Sequence, residues 1–154
     1  MTYIAPIFEA TAETYEHEVV KCDLPVMLIY YSNTCGSCHE LFNRIQNQYL
    51  QAFNGRVKFV KIQLTEAMKV GKYLRSDSGT PRSFFMKRGK FLRHPDFNKY
   101  DHLVYDNKRD DRYSMIGTPA DGTNYLNDFI KGGLVFFHTS KEDGTFEGQL
   151  PRPL

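Results

Sequence analysis

Nowhere does this chain hold 18 consecutive apolar residues, so no stretch of it reads as a membrane-spanning helix. Neither sign of charge prevails: 20 Lys and Arg stand against 18 Asp and Glu, mixed along the chain, for a formal charge of +2. That balance gives no electrostatic reason to expect a nucleic acid or an anionic membrane as partner. Residues 1–20 lack a basic segment followed by an apolar one and carry four glutamates, unlike an export signal. No internal repeat is evident. These absences lead to the expectation of a soluble, cytoplasmic protein in a reducing compartment, where cysteines stay reduced unless they are catalytic, and here there are only three.

What is present suits a single packed domain. The chain has 154 residues, 41% hydrophobic and 14% aromatic, enough to bury about 70% of the unfolded surface in one core. Two of the three cysteines lie in one motif. An apolar run, residues 26–31, leads through Ser32, Asn33 and Thr34 into Cys35-Gly36-Ser37-Cys38-His39, and helical spacing follows. That order puts both thiols on the first turn of a helix, where unpaired backbone N–H groups and the positive end of the dipole favour a thiolate. A lowered thiol pKa is what disulfide exchange requires.

Three chemistries compete for this motif. Cys-x-x-Cys-His is also the attachment signature of c-type haem, and two cysteines with a histidine could open a zinc site. Haem attachment of this kind belongs to exported chains, which the N-terminal residues do not suggest. Zinc would want a second tight ligand pair, whereas Cys22, His17, His94, His102 and His138 are scattered. A strand before the motif and a helix after it favour a redox dithiol, with no metal and no cofactor beyond the disulfide itself.

Along the chain, residues 4–9 read as a short strand, and Thr11 offers an N-cap for a helix through Lys21 with Tyr15, Val19 and Val20 inward. Pro25 precedes residues 26–32, a nearly unbroken apolar run of the kind buried on both faces of a parallel sheet. Leu41, Phe42, Ile45, Tyr49 and Phe53 then recur at helical spacing up to Asn54-Gly55. Residues 57–64 alternate as a strand, and 66–75 read as a short helix. After Thr80-Pro81, strands at 83–86 and 90–93 turn through Lys87-Arg88-Gly89. Residues 121–131 form a last predicted helix, closed by Gly132-Gly133.

This βαβαβαββα order, with the cysteines at the C-terminal end of the second strand, resembles the thioredoxin family over roughly residues 4–133. The resemblance implies an α/β fold with a central mixed sheet flanked by helices. Thr80-Pro81 falls where the family places a cis-proline facing the cysteines, and Gly117 resembles the glycine before the last helix. Lys61 lies where a lysine commonly sits beneath the active site, and is a candidate for proton transfer. By resemblance, Cys35 attacks a protein disulfide, Cys38 resolves the mixed disulfide, and a reductase or dithiol donor regenerates the pair. Thr34, Gly36, Ser37, Thr80, Pro81 and Gly117 would form the groove for an extended substrate segment. The chain departs from the family pattern at Ile29, where an aspartate is usual, at Thr34 (tryptophan), at Ser37 (proline) and at Asn43 (proline). The family's proton path and redox potential therefore do not carry over.

Two segments fall outside the resemblance. Residues 94–113 read as a charged insertion with little to bury, a candidate determinant of substrate choice. Residues 134–138 and 145–150 flank Glu142-Asp143-Gly144 and read as a hairpin in a C-terminal extension, 134–154, packed on the domain of residues 1–133. The alternative to a reductase is a binding or scaffold module that keeps the fold and leaves its cysteines idle.

Overall fold

A computed structural model describes residues 3–74, 77, 79–94 and 111–147, and the structural statements below concern these. Strand β2 (Val26–Tyr31) is the axis of the sheet, and every one of its six residues is buried, as its unbroken apolar run requires. On one side it pairs in parallel with β3 (Lys58–Gln63), from Val26 opposite Lys58 to Tyr31 opposite Gln63. On the other it pairs antiparallel with β4 (Arg82–Lys87). Strand β1 (Phe8–Ala10) adds in parallel outside β3. The free edge of β4 is shared by β5 (Lys90–Phe91) and β6 (Ser114–Ile116). Arg88 and Gly89, with φ of 49° and 81°, make the left-handed turn expected between β4 and β5.

Helices cover both faces. Helix α1 (Gly36–Arg44) continues through a π-helical turn, Ile45–Tyr49, into the short α2 (Leu50–Ala52), and Gly55 stops it at φ 79°. Met27, Ile29, Tyr31 and Phe85 face α1 and the last helix, α4 (Tyr125–Thr139). Leu28, Tyr30, Phe84 and Met86 face α3 (Leu64–Lys69) and the N-terminal segment. The helix expected from Thr11 forms, with Glu16–Val20 in π form. Thr11 caps the turn ahead of it as expected: the backbone N–H groups of Thr11 and Thr14 are taken by each other's hydroxyls at 2.9 and 3.3 Å, and Thr11 O accepts Tyr15 N–H at 3.0 Å.

Two sequence expectations are overturned. The predicted C-terminal hairpin does not form, because its first arm is helix: α4 runs through Gly132 and Gly133 to Thr139. The two glycines are buried, and a Cβ on Gly133 would stand 2.6 Å from Phe85 Cζ and nearer still to two other ring atoms. Gly133 allows close approach of helix to sheet, and neither glycine ends the helix. The expected turn at residues 142–144 exists, with Gly144 at φ 88°, and Phe146 beyond it stacks on Phe136 at 4.1 Å. Residues 148–150 of the proposed second arm lie outside the described residues.

The insertion was also drawn too wide. His94, Arg112 and Tyr113 are 2%, 4% and 0% exposed, so its ends belong to the core. They are zipped together by His94 N–H to Asp111 O and Tyr113 N–H to Leu92 O, both 2.8 Å. Residues 95–110 lie outside the described residues.

Three core tyrosines make the fold sensitive to alkali. Burial raises Tyr15 and Tyr30 well above the usual phenol range. It raises Tyr31 to about 12, helped by a hydrogen bond from its hydroxyl to Glu9. The native state therefore keeps its phenol protons at a pH where the unfolded chain, titrating near 10.0, has released them. The stabilisation is complete below pH 10 and falls as the pH climbs towards 12 and beyond. A pH titration following phenolate absorbance and circular dichroism together should show the three ionisations coinciding with unfolding; ionisation of all ten tyrosines near pH 10 with the fold retained would contradict this.

Candidate functional site

Strand β2 ends at Tyr31, and the chain turns through Ser32, Asn33 and Thr34, with Cys35 N–H donating to Ser32 O at 3.2 Å. Cys35 is the N-cap of α1, extended at φ −90° and ψ 101°. Its sulfur accepts the Cys38 backbone N–H at 3.1 Å, the place a serine or aspartate oxygen takes in an ordinary cap. The Ser37 hydroxyl is 3.6 Å from the same sulfur. Cys35 and Cys38 are joined in a disulfide, with Cα atoms 5.3 Å apart. The two sulfurs differ in access: Cys35 is half-buried, whereas Cys38 is 0% exposed, packed with Ile29, Leu41 and Phe42. After reduction, Cys35 is thus the thiol that a large disulfide can reach, with a backbone donor and the helix dipole beside it.

The residues expected to line a groove come from three segments. Thr80-Pro81 is cis, Pro81 is buried and Thr80 is half-buried. Gly117 donates its N–H to Pro81 O at 2.8 Å, and its φ of 76° is one that only glycine adopts without strain. The next residue, Thr118, donates its hydroxyl to Ser37 O at 2.6 Å. Arg44, near the end of α1, donates to Pro119 O. The 117–119 segment is therefore fastened to the Pro81 loop on one side and to the cysteine helix on the other. Thr34, Gly36 and Ser37 are exposed along the rim, and a Cβ on Gly36 would meet nothing within 4 Å. Through Thr118 and Ser37, the Pro81 and Gly117 segments are thus tied to the first turn of the cysteine helix.

Lys61 lies on the sheet face that carries Cys38, in one row with Ile29 on β2 and Glu9 on β1. Its ammonium sits 5.0 Å from the Phe42 ring and 5.7 Å from the Tyr31 ring, under α1. Ile29, where the family usually has an aspartate, is 0% exposed, so no carboxylate stands there. The nearest acid in the row is Glu9, which accepts the Tyr31 hydroxyl. His39 is exposed, and Cys22, a free thiol, packs at the margin of the opposite face. Among the described residues no three metal-ligating side chains converge.

Sequence reading missed a buried charged cluster next to the groove. Asp77, Arg82 and Arg112 are 0%, 1% and 4% exposed. Arg112 binds the Asp77 carboxylate with both terminal nitrogens, at 2.7 and 3.2 Å, and Arg82 approaches it at 3.6 Å. One signal was legible: Arg82 shares its strand face with Phe84 and Met86, on a sheet buried on both sides. Arg44 and Thr118 carried no signal, since their contacts span 75 and 81 residues.

A family model described as Thioredoxin matches residues 6–104. Among solved structures, that of chloroplastic thioredoxin z is similar, at 24% identity over 56% of this chain and 75% of that one, with a TM-score of 0.46. A search of curated proteins found no match.

Proposed function

This chain belongs to the thioredoxin family, and from that premise we propose that it is a thiol–disulfide oxidoreductase that reduces protein disulfides through the Cys35–Cys38 dithiol. One observation carries the reading: a half-exposed Cys35 caps α1, accepts the Cys38 N–H, and is already paired with a fully buried Cys38. In the reduced protein the Cys35 thiolate attacks one sulfur of a substrate disulfide, forming a mixed disulfide and releasing the other sulfur as thiolate. Cys38, losing its proton, then attacks Cys35; the second substrate sulfur leaves as thiolate, and two electrons have passed to the substrate. The Cys35–Cys38 disulfide that remains is reduced in turn by a disulfide reductase or a dithiol donor. A substrate segment lies extended along Thr34, Gly36, Ser37, Thr80, Pro81 and Gly117, exchanging backbone hydrogen bonds as an added strand would.

The proton of Cys38 passes to water, and with Ile29 in place of a carboxylate the candidate to assist its transfer is the Lys61 ammonium, whose charge favours the Cys38 thiolate as it forms. Lys61→Met should slow the resolving step by about tenfold, as a rise of about one unit in the pKa of the Cys38 thiol would, with attack by Cys35 unaffected. Rapid-quench measurement of mixed-disulfide decay checks this; decay at the wild-type rate would remove Lys61 from the resolving step. The test of the function itself is catalysed reduction of insulin by dithiothreitol, which an idle-cysteine scaffold would not accelerate.

A further inference from the structure

We propose that Asp77 is a positioning residue for the substrate groove, its buried carboxylate setting where the Pro81 and Gly117 arms stand beside Cys35. The proposal rests on the redox reading above and adds to it the group that holds the groove in shape. Both arms hang on this one side chain. On the first, Asp77 precedes Thr80-Pro81, its Oδ2 accepts Leu74 N–H at 2.9 Å, and Arg82, the residue after Pro81, points back to it at 3.6 Å. On the second, Arg112 grips both carboxylate oxygens just before β6, the strand that ends immediately before Gly117. Arg82 closes the circuit by donating to Ser114 Oγ at 3.1 Å, at the start of β6.

Stability alone is a poor explanation for such a cluster. Three charges withdrawn from water are costly, and an apolar cluster of equal volume would hold the fold as well or better. Charged, forked hydrogen bonds contribute direction, because they form at one angle and one distance. The surroundings preserve that direction: the Arg112 guanidinium lies 4.6 Å from the Phe84 ring and 5.0 Å from Phe91, and Arg82 lies 5.2 Å from Phe84. These planar slots suit arginine, not lysine. A backbone groove recognises its substrate through such fixed geometry, so the carboxylate acts on binding of a long segment and not on the reactivity of Cys35.

The test compares wild type, Asp77→Asn and Arg112→Lys in reduction of insulin by dithiothreitol, and in the reaction of the reduced proteins with a small aromatic disulfide that needs no groove. For Asp77→Asn the expected result is a rise in KM for insulin of about tenfold, with kcat and the small-disulfide rate within about twofold of wild type. Arg112→Lys should move KM the same way by roughly threefold, since it keeps the charge and loses the fork. An unchanged KM in folded variants, or an equal loss on both substrates, overturns the proposal. Should Asp77→Asn melt below the assay temperature, Ser114→Ala decides, since it cuts only the link from Arg82 to β6: a KM raised by about threefold supports the proposal and an unchanged one overturns it. A wild type that does not reduce insulin at all overturns the redox reading and this inference with it. An active wild type whose variants match it overturns only the inference.

Discussion

Cys38→Ser is expected to accumulate covalent adducts with disulfide-containing proteins, all through Cys35, while Cys35→Ser accumulates almost none. Cys35 is the accessible sulfur and the helix cap, with the Cys38 N–H at 3.1 Å, whereas Cys38 is fully enclosed and reaches only what is already attached to Cys35. Both substitutions should stop turnover, by roughly a thousandfold or more, as loss of a nucleophile generally does. The two stop it at different steps. Non-reducing electrophoresis after incubation with oxidised proteins, then mass spectrometry of the adduct, reads the difference. Comparable adducts from both variants, or equal alkylation rates of the two thiols at neutral pH in the reduced protein, would reverse the assignment.

The second large effect is on the fold. Gly133→Leu should cost about 3 kcal/mol, the upper part of the range for forcing bulk into a close-packed core. The wall that a side chain would strike is the Phe85 ring, which is fully buried and held between Tyr113 at 6.1 Å and Phe129 at 5.4 Å, so it has nowhere to go. Leucine's better helix propensity returns only about 0.5–1 kcal/mol, so packing decides the sign. A melting temperature lower by about 5 to 10 °C is the expected reading for a chain of this size. Val135→Leu, on the same helix but 57% exposed, should stay within about 0.5 kcal/mol of wild type. Equal melting temperatures for the two variants would mean that α4 does not press on β4 at Gly133.

Residues whose environment is set by their neighbours in the chain were readable beforehand. The run of residues 26–31 announced a central strand, the cysteine spacing announced a capped helix, and Arg88-Gly89 announced a tight turn. The Gly132-Gly133 pair misled because a glycine that ends a helix and one that lets a helix touch a sheet are alike in sequence, and only Phe85, far away in the chain, tells them apart. Residues 94 and 111–113 misled for a related reason. Charge suggested exposure, yet Arg112 is buried because Asp77 waits for it across 35 residues. In the site, the cysteines, Pro81 and Gly117 were legible through the family pattern, while the fastening of the groove by Arg44, Thr118 and the Asp77 cluster was not, since it consists of side chain contacts between distant segments. Ile29 was legible as a departure from the family pattern.

The most direct measurement is the rate at which insulin is reduced by dithiothreitol with and without this protein, followed by the turbidity of the released chains. A working Cys35–Cys38 couple is expected to raise the rate well above that of dithiothreitol alone, in proportion to protein added, and to lose that effect in Cys35→Ser. A rate equal to dithiothreitol alone, at protein concentrations where the Cys35–Cys38 disulfide is demonstrably reduced, would contradict the assignment and leave a thioredoxin fold whose cysteines do no exchange chemistry on proteins.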